Sequence, residues 1–322
     1  MTRGLKFIKT NMKSNRNKTI DFPLENAGEY LDSVKREESE QEILPCATVL
    51  GDAFKALKKV KDKSVDLLIV DPPYNLDKDF HGNEFKRLNA KKYEEYTKSW
   101  IDAIYPKLKD TASVYVCCDW KSALVIGSVM DEKFILRNRI TWQREKGRGA
   151  KANWKNGMED IFFATVSENY TFNLDAVKQR KKVLAPYREN GKPKDWVETE
   201  NGKYRNTCPS NFWDDIAVPY WSMAENTAHP TQKPEKLIAK LILASSNEGD
   251  LVLDPFNGSG TTSVVAKKLN RKYIGLEQNP LYCAWAAKRL IDCETDNTIQ
   301  GYYGGVFWER NSRPSEITGK ND

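Results

Sequence analysis

The chain has 322 residues, 39% of them hydrophobic and 30% charged, which suits one large or two modest cores in a globular protein. No apolar run approaches the ~18 residues that span a bilayer, and the opening MTRGLKFIKTNMKSNRNK lacks the apolar stretch of a signal peptide, so no membrane association and a cytoplasmic setting are expected. Six cysteines without CxxC spacing and only two histidines argue against a metal site or a disulfide framework and for reduced thiols.

The formal charge of +6 is unevenly placed. Residues 1–18 carry six bases and no acid, and residues 19–45 carry two bases against eight acids, so these stretches cancel. Residues 144–210 hold 14 bases and nine acids among many Trp, Tyr, Asn and Gln. A basic excess with interleaved aromatics is compatible with nucleic acid, although many such patches are simply solvated surface.

In chain order, residues 1–45 form a peripheral arm, basic and then acidic, with room for one short helix. From Cys46 the pattern sharpens. CATVLGD reads as a strand, DAFKALKKV as a helix with Phe54, Leu57 and Val60 at helical spacing, and VDLLIVDPP as a second strand. Residues 91–109 place Tyr93, Tyr96, Trp100, Ile104 and Leu108 on one helical face. SVYVCCD is again a strand; its Cys117 and Cys118 point to opposite faces and read as packing residues. ALVIGSVM is a helix, and RNRITWQRE and DIFFATV are strands, with Trp142 read as structural. Residues 146–225 break this rhythm with glycine, proline and asparagine throughout. It returns after TAHPTQKP with a helix (EKLIAKLILASS), a strand (DLVLDPF), a helix (TSVVAKKL), a strand (RKYIGLEQ) and a last helix (LYCAWAAKRLI). Residues 296–322 read as an irregular tail. Such alternation predicts a doubly wound α/β sheet interrupted by an insert.

Two stretches carry chemistry. VDPPYNL follows the apolar run VDLLI, and two prolines cannot continue a central strand because neither donates to the ladder. A DPP sequence there is commonly only a tight turn, with Asp71 as its cap. DPFNGSGTT ends a strand and opens a helix; its glycines let backbone approach a ligand, and the helix N-terminus favours negative charge. The spacing is not GxGxxG, which disfavours a dinucleotide and hence a nicotinamide-dependent oxidoreductase. Glu277 follows Gly258 by 19 residues, at the end of the next strand, where an acid accepts hydrogen bonds from ribose hydroxyls. A capping acid beside an ordinary glycine turn is the plainer reading of either stretch alone; in this order the two favour a nucleoside ligand.

DPPY, a basic insert, HPTQKP, DPFNGSGTT and GLEQNP, in that order over roughly residues 46–295, closely resemble the β class of S-adenosylmethionine-dependent amino-methyltransferases of DNA. The resemblance implies a mostly parallel seven-stranded sheet in permuted order: catalytic half 46–145, target-recognition insert 146–225 and cofactor half 226–295, flanked by the arm and the tail. It implies S-adenosyl-L-methionine as cofactor, double-stranded DNA as partner, and leaves room for a homodimer and a cognate restriction endonuclease. Asp71, Pro72, Pro73 and Tyr74 match the catalytic tetrapeptide, with Asp71 also beside the cofactor. Asp254, Phe256, Gly258 and Gly260, with Asn257, Ser259 and Thr261 of the same turn, match the methionine-side loop. Glu277, with Gln278 next to it, matches the ribose-binding acid, Asp52 the position that meets adenine, and Thr231 and Lys233 the helix start against the methionine part.

An exocyclic amine is a poor nucleophile because its lone pair is delocalised into the ring. Two acceptors set tetrahedrally about the nitrogen, the Asp71 carboxylate and the Pro72 carbonyl, would localise that pair and stabilise the growing charge. Prolines fix φ and pre-set the acceptors, Tyr74 offers a stacking face, and the base must be flipped from its duplex at a cost of a few kcal/mol. The polar segment NLDKDFHGNEFKRLN is expected to be a mobile loop closing over that base. Arg144, Lys146, Arg148, Lys151 and Lys155 are expected to contact phosphates. Within the resemblance, DPPY leans to N6 of adenine over N4 of cytosine. A catalytically silent DNA-binding protein of the same fold is the reading from another class, disfavoured by the intact tetrapeptide and cofactor loop.

Overall fold

The computed structural model describes residues 14–38, 41–144, 152–184, 187–199 and 202–310. Nine strands form the main sheet: β1 (Lys35–Arg36), β2 (Ala47–Leu50), β3 (Val65–Val70), β4 (Leu108–Cys118), β5 (Ile135–Gln143), β6 (Met158–Thr165), β7 (Phe212–Trp213), β8 (Leu251–Asp254) and β9 (Lys272–Glu277). Their spatial order is β1-β2-β9-β8-β3-β4-β6-β5-β7, and only β6 runs against its neighbours. Seven strands of ordinary length are thus extended by two two-residue edges, one from the N-terminal arm and one from the insert region.

The central strands are apolar on both faces because both are covered. Leu68, Val70, Val114 and Val116 pack with Tyr93, Trp100 and Ile101 of helix α3 (Ala90–Ile104) and with α4 (Ala123–Asp131). Leu67, Ile69, Tyr115 and Val252 pack on the other face against α5 (Glu235–Ser245) and α6 (Thr261–Lys268). Cys117 and Cys118 are both fully buried, one in each layer. Helices α1 (Gly28–Leu31), α2 (Ala53–Leu57) and α7 (Pro280–Asp292) complete the wrapping.

Several sequence expectations are corrected here. Leu108 is not on the face of α3: Pro106 lies in a single 3-10 turn after Ile104, and Leu108 opens β4, five residues ahead of the SVYVCC core. Residues 146–225 are not wholly an insert, since β6 lies in the middle of the main sheet. Three other strands of that region join two from further along the chain in a five-stranded sheet, ordered Val197–Thr199, Gly202–Thr207, Gln179–Lys182, Val306–Trp308 and Tyr302–Tyr303. Two of those strands come from the expected irregular tail, because Phe307 and Trp308 pair in parallel with Gln179 and Arg180 and bury their rings there. Truncating the fully buried Phe307 to alanine should cost about 3–5 kcal/mol, read as a lower urea midpoint.

The chain turns outward in opposite directions from the adjacent parallel strands β3 and β8: β3 leads through α3 to β4 on one side, β8 through α6 to β9 on the other. Ligands bind at such a reversal, outside the carboxyl ends of the strands. Asp71 and Asp254 stand at those two ends.

Candidate active site

A cavity of about 340 Å³ opens at this crevice and is walled by both halves of the chain. Asp71, Pro72, Pro73 and Tyr74 line it from β3, Asp52 and Phe54 from the β2–α2 turn, Phe256 and Gly258 from the loop after β8, Glu277 and Gln278 from the end of β9, and Thr231 from the segment before α5. Three acids (Asp52, Asp71 and Glu277) and several aromatic rings, among them Phe54, Tyr74 and Phe256, share its wall.

The DPPY turn is fixed from several sides. The Tyr93 hydroxyl donates to the Pro73 carbonyl (3.1 Å), Asn75 N donates to Ser122 Oγ (3.2 Å), and the Asn75 side chain pairs with the backbone of Leu88. Among the described residues no donor reaches the Pro72 carbonyl. Asp71 is held by both oxygens: the Tyr74 hydroxyl donates to Oδ1 (2.9 Å) and Lys233 Nζ to Oδ2 (2.6 Å). Each carboxylate oxygen keeps a further lone pair for a substrate.

Lys233, assigned from sequence to the cofactor, therefore meets the Asp71 carboxylate and does not line the main cavity. Its ammonium also lies 3.3 Å from Glu159 Oε2, and Arg144 pairs with the other Glu159 oxygen. Burial works against the Lys233 charge, but Asp71 and Glu159 together outweigh it and raise the lysine above its usual range. Burial, and then Asp71 and Glu159, push the Tyr74 phenol well up, so it is a donor here. Glu159 was not legible in the sequence: it is an acid inside an apolar strand, and only folding brings it to Asp71. Arg144, expected on a phosphate, is partly exposed and already paired with Glu159. Lys155 is exposed, and Lys146, Arg148 and Lys151 lie outside the described residues.

The loop after β8 divides into residues that line the cavity and residues that hold the loop. Gly258 has φ +51°, donates its N–H to Glu277 Oε2 (2.9 Å), and a Cβ there would come 3.1 Å from His229 Nε2. Gly260, at φ +82°, lets α6 approach α7, where a Cβ would meet Ala286 at 2.6 Å. Glu277 Oε1 accepts from Asn279 N (2.8 Å), so backbone donors hold its carboxylate at the cavity edge. Asp52 caps α2 through Lys55 N (3.0 Å) while lining the cavity. Asp254, Asn257, Ser259 and Thr261 border an adjoining void of about 40 Å³ and mostly serve the loop itself: Thr262 donates to Asp254 Oδ2 (2.6 Å), Ser263 to Asn257 Oδ1 (2.9 Å), and Thr261 to the Lys233 carbonyl (3.1 Å). His229 is pushed down to about 3, chiefly by burial and then by Lys233, and packs edge-on against Tyr282.

The segment after DPPY differs from the expected mobile loop over the base. Residues Lys78–Phe80 and Asn83–Phe85 form a hairpin that roofs the 340 Å³ cavity. It is docked on α7 by His81 Nδ1 to the Tyr282 hydroxyl (2.6 Å) and by Asn279 Nδ2 to the Phe80 carbonyl (3.1 Å).

The DNA methylase family matches residues 65–289, well over half of the chain. The chain belongs to the N6/N4 DNA methylase family. Among its relatives are the type II methyltransferase M.HpaI of Haemophilus parainfluenzae, 37% identical over 75% of this chain and 73% of that one, and the DNA adenine methyltransferase YhdJ of Escherichia coli, 37% identical over 74% and 81%. The type II methyltransferase M1.MboII of Moraxella bovis is 35% identical over 72% and 91%. In fold the methylase matches the PvuII cytosine-N4-specific DNA methyltransferase (TM-score 0.58, 20% identity, 78% and 89% of the chains) and the Thermus thermophilus modification methylase TTHA0409 in complex with S-adenosylmethionine (TM-score 0.53, 18% identity, 83% and 99%). The methylase thus acts on DNA with S-adenosylmethionine as methyl donor. No helix among its described residues is long and apolar enough to cross a membrane.

Burial pushes Asp254 up to about 7, above the ~3.9 of an unfolded aspartate. The folded state therefore holds this proton more tightly, and the resulting stability is lost as pH rises from about 4 through 7. The melting temperature of the parent minus that of Asp254→Asn should fall between pH 5 and pH 8, as measured by calorimetry.

Proposed function

We propose that the protein is a site-specific methyltransferase acting on the N6 amino group of adenine in a base extruded from duplex DNA. The observation that carries this reading is the presence, in the wall of the cavity, of the Asp71 carboxylate beside a Pro72 carbonyl that no donor among the described residues uses. S-adenosylmethionine supplies a methyl group already activated on sulfur. The chain's task is to present the amine: Asp71 and Pro72 each accept one N–H, which turns the nitrogen lone pair toward the methyl group, and Lys233 with the Tyr74 hydroxyl keeps the carboxylate from rotating. Glu159 balances Lys233, so the carboxylate of Asp71 is held without being monopolised.

The aspartate at the head of DPPY, together with the name of YhdJ, supports adenine over cytosine. The names of M.HpaI and M1.MboII support a role beside a cognate restriction endonuclease. Glu277 is assigned to the ribose hydroxyls, Asp52 to the adenosine end and Thr231 to the methionine end of the cofactor. Exposed Trp154 and Lys155, next to Arg144, fit a DNA-facing edge, with target recognition in the surrounding insert.

Incubation of the protein with labelled cofactor and mixed-sequence DNA, followed by sequencing of modified positions, tests the reading; N6-methyladenine in one sequence context is expected, and N4-methylcytosine would overturn it. Asp71→Asn should lower methyl transfer by about 100-fold or more while calorimetric cofactor affinity changes little. Glu277→Ala should weaken cofactor binding by roughly tenfold or more, the loss of a hydrogen bond to a charged group.

A further inference from the structure

The roof of the cofactor cavity carries a cation that the reading above leaves unused. Lys78 opens the first strand of the hairpin, lines the cavity together with Asp71, Thr231 and Phe256, and is partly buried. Among the described residues no carboxylate lies within ion-pairing distance of its ammonium, which sits over the Phe80 ring, 5.4 Å from its centroid. Desolvation accordingly lowers its pKa, with Asp71 opposing.

This is not a lysine on a free surface arm. Its strand is clamped to α7 at both Phe80 and His81, Asp79 Oδ1 accepts from Gly82 N (2.7 Å) to set the hairpin turn, and Asp77 Oδ1 accepts from Arg87 N (2.9 Å) across its base. The acids around the cavity are engaged elsewhere: Asp71 with Lys233 and Tyr74, Glu277 with two backbone amides, and Asp52 with the first turn of α2.

S-adenosylmethionine brings a sulfonium and an ammonium into this cavity. A third positive charge beside these two would be repelled by both unless it met the ligand's anionic group. The ligand has one such group, the α-carboxylate. With the methyl group toward Asp71 and the ribose toward Glu277, the amino-acid branch leaves the sulfur at the Asp71 end, where Thr231 and Lys78 face the cavity. We propose that Lys78 pairs with the α-carboxylate of S-adenosylmethionine, so that the hairpin selects the cofactor by its free carboxylate. The inference rests on the assignment of the 340 Å³ cavity to the cofactor.

The test is a calorimetric comparison, on the full chain, of S-adenosylmethionine with its decarboxylated analogue, which keeps sulfonium and amine. The parent should bind the intact cofactor at least tenfold more tightly. In Lys78→Met the intact cofactor should lose about that factor, the analogue should be unaffected or bind better, and the preference should shrink to within about threefold; Lys78→Arg should retain most of it. Retention of the full preference by Lys78→Met overturns the proposal, as does an equal loss for both ligands, which would mark damage to the hairpin. Unchanged cofactor binding with weakened DNA binding would assign the lysine to a phosphate and likewise overturn it. Failure of the parent to bind either ligand would overturn the cavity assignment itself.

Discussion

Asp71 and Lys233 lie 162 residues apart in sequence and meet at 2.6 Å. That ion pair ties the strand end carrying the acceptors to the segment that leads into α5, and so joins the two halves of the cavity. Lys233 is buried and Asp71 partly so, and a buried charge left without its partner costs about 3–5 kcal/mol, which makes the alignment of the halves an energetic necessity as well as a topological one. The sheet brings the partners near, since β3 and β8 are adjacent and parallel, but the ion pair sets the angle at which the carboxylate faces the cavity.

Around it the charges alternate. Arg144 meets Glu159, Glu159 meets Lys233, Lys233 meets Asp71, and the Tyr74 hydroxyl bridges the two carboxylates. Such a network is tolerable out of water because each charge has an opposite neighbour and a hydrogen bond. It runs from the DPPY turn to Arg144, the last described residue before 145–151, on an edge where Trp154 is almost fully exposed. The same side chains that hold the Asp71 carboxylate thus reach the exposed edge of the molecule.

Much of this was legible in the sequence, for identifiable reasons. Strands buried on both faces read as continuous apolar runs, so β2, β3, β8 and β9 could be placed. DPPY and DPFNGSGTT were visible because proline and glycine impose backbone geometry that few other residues share. Tertiary pairing was not legible. Glu159 looks like one acid in an apolar strand, and its partners come from residues 71, 74, 144 and 233. Leu108 continued a helical period by coincidence until Pro106 ended the helix. The hairpin after DPPY is polar and short, and its order derives from contacts to Tyr282 and Asn279, some 200 residues away.

The tail was misread for the same reason: Val306–Trp308 is too short to announce itself, and it earns its place by pairing with Gln179–Lys182. That pairing bears on how specificity can be exchanged within the family. The region between β6 and α5 is not a cassette with two cut points, because two strands of its sheet are contributed from beyond α7. A chimera that imported the middle of another methylase alone would leave a foreign edge beside a resident strand shaped for a different neighbour. Transplantation has to move two distant stretches of gene together, and a lineage evolving new target sequences faces the same linkage.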